Sequence, residues 1–412
     1  MRFTAGEIAA VVGGHRHGPD VAVDGATQDS REVAPGMLFV PLVAERDGHA
    51  FVPAAVAAGA PAYLTARGRL HGSDTAATAV AVDDTGVALT HLGAAARDRL
   101  AAAVEVIGIT GSVGKTTTKD LVAAVLAVER RVHASRRSFN NEIGVPLTLV
   151  NTPGDVEAVV VEMGARGRGH IADLCAVARP RIGVVTTVGA AHTGEFGSVD
   201  AVATAKAELV EALPSEGCAV LNADVAAVAA MADRTAAEVV TFGDRGEVRA
   251  RELVLDDELR PRFRLESPWG GAEVRLTTRG AHLVPNALAA AAVGLHLGLG
   301  PETVAAGLAD AVVSAGRMHL VRTSTGARVL DDTYNANPLS VAAALRALAH
   351  LPAARRVAVL GVMAELGDRG PADHAAMGVL ARELGIELIA VDAPDYGGID
   401  VADIDEAAER LG

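Results

Sequence analysis

From Val104 onward, short apolar runs alternate with helical stretches, and each run ends in a polar residue or a glycine loop. The runs are Val104 to Thr110, Val156 to Glu162, Ile182 to Val188, Cys218 to Leu221 and Val239 to Phe242. Strands that are apolar throughout are buried on both faces, so this region predicts a mostly parallel sheet covered by helices. After the first run, Leu121, Val125 and Leu126 share one face of a helix. Residues 246 to 280 predict a β-rich segment, and an Ala-rich helix follows over 286 to 299. Past Gly316 the rhythm restarts with Arg328 to Asp332, then a helix from Pro338 with Val341, Leu345 and Leu348 on one stripe. Arg356 to Gly361, a further helix and Glu387 to Val391 complete a smaller βαβαβ unit. Asn337 can cap the helix at Pro338, because its side chain satisfies free amides while proline at the first position gives up no bond. Ahead of all this, residues 1 to about 100 mix short β-like runs (Met37 to Leu42) with an Ala-rich helix near Val52 to Ala60. The pattern predicts an α/β protein of three domains, 1–100, 101–314 and 315–412.

Composition narrows the classes. Of 412 residues, 50% are apolar and 21% charged, which excludes disordered, collagenous and disulfide-scaffold chains. Lys plus Arg number 37 against 51 acids, a formal charge of -14, so no broad basic footprint for nucleic acid exists and any anion site must be local. Cys175 and Cys218 lie far apart with no metal-ligand spacing, which fits a reducing cytoplasm. The early Glu7 does not suit a signal peptide, and no stretch supplies the roughly 18 apolar residues of a membrane span. A cytoplasmic monomer without membrane insertion is expected.

The strongest local signal is Ile107-Gly108-Ile109-Thr110-Gly111-Ser112-Val113-Gly114-Lys115-Thr116-Thr117, which runs from a predicted strand through glycines into a predicted helix. Glycines let backbone amides converge on phosphate oxygens, and a helix N-terminus adds partial positive charge. Lys115 can pair with the β- and γ-phosphates and Thr116 can offer an oxygen to Mg²⁺. Ile109 stands where the usual phosphate-loop pattern has its first glycine, but strand, loop and helix occur in the right order.

Four further places carry candidate chemistry. Glu162 ends an apolar strand, where a carboxylate of a parallel sheet projects toward the phosphate crevice and can meet a metal. His192 follows the strand ending at Val188, although a loop histidine taken alone is more often solvated than functional. Lys206 sits in a helix where composition does not separate it from a surface lysine. Asp331 and Asp332 end a strand of the last domain and can meet a ribose or phosphate, or form a surface pair.

Several strings, read in order, resemble the Mur ligase family: TGSVGKTTTKD (110–120), SFNNEIGVPLTL (138–149), VEMGARGRGHI (161–171), AHTGEFGS (191–198), AKAEL (205–209), LNADV (221–225), GRM (316–318) and LDDTYNANPLSVAAAL (330–345). TQDSREVAPGMLFVPLVAERDGHAFVPAAVAAGA (27–60) resembles the family's uridine-nucleotide domain. The FNNEIG and DDTYNANP strings are similar to those of the member that adds D-alanyl-D-alanine to UDP-N-acetylmuramoyl-tripeptide. The resemblance implies a small N-terminal domain for the UDP-linked peptide, a central ATPase domain and a C-terminal Rossmann-like lobe. It also implies that ATP phosphorylates a peptide carboxylate and that an amine attacks the acyl phosphate.

The family roles fall on named positions. Thr110, Gly111, Ser112, Gly114, Lys115, Thr116 and Thr117 would hold the nucleotide phosphates. Thr116 and Glu162 would serve a first Mg²⁺, and His192 a second. Lys206 matches the lysine that such ligases carbamylate into a metal ligand. Asn286, Arg317 and Asp332 match nucleotide contacts, and Ser30, Arg31, Asn140 and Asn141 fall in substrate-binding segments. The chain departs from the pattern at Leu283, where the family has Asn, and at Pro285, often Tyr. The family's further strand and KGSR-like segment have no counterpart before Gly412, so the last lobe reads as shortened, ending in a short acidic helix. A paralogue using another acid or amine, and a nucleotide-binding subunit that does not ligate, remain open beside the leading reading.

Overall fold

The computed structural model describes residues 1–69, 77–189, 196, 198–324 and 326–411. The chain divides into two compact units. The first comprises Met1–Gly108, Arg130–Gly164 and Ala172–Arg181, and the second Ile109–Glu129, Ala165–Ile171 and Ile182–Gly412.

In the first unit, strands His15–His17, Thr78–Val82, Ala62–Ala66, Leu38–Phe39 and Ala26–Thr27 lie side by side in that order. All neighbours are parallel except the antiparallel edge strand His15–His17. Thr78–Val82 is buried along its whole length, as a continuous apolar run requires. Helix Ala5–Val12 opens on a capping box between Thr4 and Glu7 and stops at Gly13, whose φ of 63° suits a residue without a side chain. Helix Thr85–Arg99 is capped by Asp84 and approaches Gly144–Val150 so closely that a Cβ on Gly93 would meet Pro146. The same unit holds the parallel pair Val132–Ala134 and Ala158–Glu162.

Strand Glu105–Thr110 contributes its first four residues to the first unit and its last two to the second. In the second unit Thr186 N donates to Thr110 O at 3.0 Å, and Ile182–Val185, Cys218–Asn222 and Glu238–Phe242 continue as a parallel sheet. Helices Lys115–Ala127, Val284–His296 and Pro301–Ala309 pack together through small residues: Cβ atoms on Gly294 and Gly307 would both meet Val125. The β-rich segment is a three-stranded antiparallel sheet, Arg249–Leu255, Pro261–Ser267 and Gly270–Arg275.

The end of the chain corrects one expectation. Arg328–Asp331 does not open a βαβαβ unit but forms an antiparallel pair with His319–Arg322. The parallel strands are Val357–Leu360, Glu387–Val391 and Ile399–Val401, the last of which is too short and polar to register as an apolar run. Helix Pro338–His350 begins with the capping box of Asn337 and Ser340 and buries Val341 and Leu345. Around them, Tyr396 OH donates to Gly361 O at 3.0 Å and Met363 N donates to His374 Nε2 at 2.9 Å, fixing the loop after the first of these strands. The closing acidic helix is Ile404–Leu411. Among the described residues no helix is long and apolar enough to cross a membrane.

Asn337→Ala removes the acceptor for Ser340 N, a cap worth about 1 kcal/mol. Chemical denaturation should show a loss near that size, and an unchanged midpoint would mean the cap contributes nothing.

Candidate functional site

The phosphate loop is built from a strand end, two glycines with positive φ and a helix start. Gly111 (φ 152°) and Gly114 (φ 83°) bracket Ser112 and Val113. A Cβ on Gly111 would strike Thr186 Oγ1, and one on Gly114 would strike Asn286 Nδ2, so glycine is required by space as well as by φ. Thr186 Oγ1 donates to Val113 O at 2.7 Å, and Ser112 N donates to Thr187 O at 2.8 Å. Ser112 Oγ accepts from Gly189 N at 3.0 Å. Asn222 Nδ2, donating to Thr186 O at 2.8 Å, steadies the strand that supplies these contacts. Gly114 caps helix Lys115–Ala127 without any side-chain bond, which leaves the first amides for an anion.

Around this loop the second unit gathers most of the sequence-predicted nucleotide residues. Lys115 Nζ donates to Gly111 O at 2.8 Å, and Thr110, Thr116 and Thr117 are buried. Asn286 Nδ2 donates to Gly114 O at 3.1 Å and to Thr118 Oγ1 at 2.8 Å, so its amide group braces the loop itself. Arg317 Nη2 donates to Thr116 Oγ1 at 3.3 Å, and its guanidinium stacks 4.1 Å above the Tyr334 ring. Asp332 accepts from Met318 N at 3.2 Å, and burial pushes its carboxyl up to about 6. Lys206 is 2% exposed on helix Val199–Glu211. Burial, and then the charge of Lys115, hold its ammonium well below the usual lysine range, favouring the neutral amine.

In the first unit, Glu162 is 1% exposed at the end of its strand. Its Oε1 accepts from Asn140 Nδ2 at 2.8 Å, while Oε2 is buried with no hydrogen-bond donor among the described residues. A buried carboxylate oxygen without a donor suits a cation, so the residue fits a metal role. Asn141 Oδ1 instead accepts from Gly144 N at 2.9 Å and from Ile143 N at 3.3 Å, which holds the start of helix Gly144–Val150. Arg31 is exposed and forms a two-bond pair with Asp29, whose carboxyl the guanidinium holds down at about 2. Ser30 lies beside them at the start of the short turn Ser30–Glu32. His192 lies outside the described residues.

Sequence reasoning missed Thr186 and Asn222 as loop supports. No local signal marks them, since Thr at a strand end is ordinary and its role depends on which glycine faces it.

Profile comparison matches residues 109–294 to the Mur ligase middle domain and residues 316–412 to the Mur ligase glutamate ligase domain. UDP-N-acetylmuramoyl-tripeptide–D-alanyl-D-alanine ligase of Mycobacterium tuberculosis is 44% identical, covering 95% of this chain and 83% of its own length. The chain belongs to the Mur ligase family. The Escherichia coli ligase of the same name is 34% identical over 94% of this chain and 85% of that protein. Among solved Mur ligases, MurF from Acinetobacter baumannii superposes with a TM-score of 0.88 at 31% identity, covering all of this chain and 92% of that one. MurF from Thermotoga maritima in complex with ADP gives 0.81 at 27% identity, covering 94% and 91%. The mixed α/β architecture with parallel sheets is thus that of these Mur ligase structures.

The raised pKa of Asp332 has a definite sign. Between about pH 4 and 6 the folded state holds a proton that the unfolded state has released, so this group's contribution to stability falls as pH rises through that window. Asp332→Asn removes the cost of burying the charge. Its denaturation midpoint should exceed that of the parent at pH 8 by more than at pH 4.5, and an equal difference at both would refute the burial argument.

Proposed function

We propose that this chain is the ATP-dependent ligase that joins D-alanyl-D-alanine to UDP-N-acetylmuramoyl-tripeptide in the cytoplasm, a step of peptidoglycan precursor synthesis. The observation that carries the reading is the match along nearly the whole chain to ligases of that name. The phosphate loop and its surroundings supply the matching chemistry. These relatives favour it over a paralogue with another acid or amine and over a non-ligating subunit. On this reading the domains are 1–100, 101–314 and 315–412, for the UDP-linked peptide, ATP and the closing lobe respectively.

A carboxylate is a poor electrophile, which explains the use of ATP. The peptide carboxylate oxygen bonds to the γ-phosphorus and ADP leaves. The amine of the dipeptide then attacks the acyl carbon, the tetrahedral intermediate expels phosphate, and the amine proton is lost. Lys115 and the first amides of helix Lys115–Ala127 would hold the phosphates and their growing charge in a dry site. Asn286 keeps the loop open by bracing Gly114. Arg317 and Asp332 would bring the closing lobe to the nucleotide, and Ser30, Arg31 and Asn140 would orient the UDP-linked peptide.

The resemblance assigns Thr116, Glu162, His192 and carbamylated Lys206 to two Mg²⁺ ions, and the buried Glu162 Oε2 with no donor among the described residues supports a cation at that carboxylate. When bound they would neutralise phosphate charge and clamp the anionic transition state. The neutral amine of Lys206 is the form that adds CO₂, giving a carbamate and releasing one proton. Burial, and then the charge of Lys115, favour that form.

Mass-detected ligation with ATP, Mg²⁺, both substrates and single omissions tests the reading. Product should require every component, and phosphate release should depend on the dipeptide. Lys115→Ala should lower turnover by at least about 100-fold with folding intact, on the scale of losing one charge-stabilising donor. Lys206→Ala should abolish ligation and regain part of it with short carboxylic acids. Full activity without Lys206 would sink the carbamate assignment.

A further inference from the structure

We infer that Asp120 is a positioning residue that sets where Arg317 meets the phosphate loop. The inference rests on the assignment of Arg317 to the nucleotide made above. Thr116 and Asp120 are four residues apart on helix Lys115–Ala127, so they share one face about 6 Å apart along the axis. Both are met by one short segment of chain. Asp120 Oδ2 accepts from Ser314 N and from Ser314 Oγ, each at 2.8 Å, and three residues later Arg317 Nη2 donates to Thr116 Oγ1.

The anchor is built to be stiff. Asp120 is largely buried, and its Oδ1 pairs with the ammonium of buried Lys119 at 2.9 Å. The carboxylate therefore has a charge partner on one oxygen and two donors on the other, which fixes its rotamer. Between the two contacts Gly316 turns the chain with φ 69°, its carbonyl accepting from Tyr334 N at 3.2 Å, and Tyr334 supports the guanidinium from below. Arg317 Nε is buried with no hydrogen-bond partner among the described residues, so the held guanidinium retains a donor for an anion. Without the Ser314 anchor, residues 314–317 lose their register on the helix. A slip of one helical turn, about 5.4 Å, would carry the guanidinium away from the loop.

The test is a double-mutant cycle in the full chain, with KM for each substrate and kcat measured separately and thermal midpoints as the folding control. Asp120→Ala should lower kcat by 10-fold or more and raise KM for ATP, leaving KM for the UDP-linked peptide unchanged. Ser314→Ala should give a smaller loss of the same kind, restored by Ser314→Thr, which keeps the hydroxyl. In an Arg317→Ala background neither substitution should cost anything further, because the route through Arg317 is already gone. Additive losses, or an Asp120→Ala or Ser314→Ala enzyme with parental kcat, would overturn the inference while leaving the nucleotide role of Arg317 intact. Parental kcat in Arg317→Ala itself would overturn both that role and the inference.

Discussion

The close approach of backbone to side chain at Gly111 and Gly114 is the constraint on which the nucleotide-facing part of this protein depends. A phosphate loop needs its amides turned toward one centre, and that shape is not stable by itself in a short segment. Here it is set from outside: Thr186 presses against Gly111 and bonds to Val113 O, while Asn286 presses against Gly114 and bonds to its carbonyl. Both braces come from elements more than seventy residues away in sequence. The parallel strands and helix Val284–His296 therefore serve the site directly, because their packing fixes the distance at which these side chains arrive.

Legibility in the sequence followed the same division between local and distant causes. The strand-loop-helix order, the buried strands and the helix start at Asn337 depend on neighbours in sequence and could be read there. Gly111 and Gly114 were readable as loop glycines, but not the reason each must be glycine, which lies in Thr186 and Asn286. Arg328–Asp331 misled because a strand's own residues do not reveal its partner: it pairs antiparallel with His319–Arg322 before the parallel strands begin. Ile399–Val401 escaped because only Val401 of its three residues is buried.

Lys206 shows the limit most clearly. Its helix contains apolar and acidic neighbours, so composition does not separate it from a surface lysine. The fold instead buries it and sets the charge of Lys115 near it, two effects that both disfavour the ammonium. The match of AKAEL to the family, and not any local pattern, is what set this lysine apart in the sequence.

The departure at Leu283 is compensated by packing. Where the family pattern has a polar residue, Leu283 joins Leu259, Met318, Ala347 and Leu351 in one apolar cluster. The preceding His282 is half-buried, and desolvation pushes its pKa down to about 4, so this turn brings no positive charge of its own at neutral pH. Met318 is the residue after Arg317 and also donates its N–H to Asp332. The segment carrying Arg317 is thus gripped on one side by Asp120 through Ser314 and on the other by an apolar cluster that includes Leu283. At 283 this segment is held by packing. The place of the guanidinium is thus set from both ends of the segment, with Leu283 part of the apolar hold on Met318.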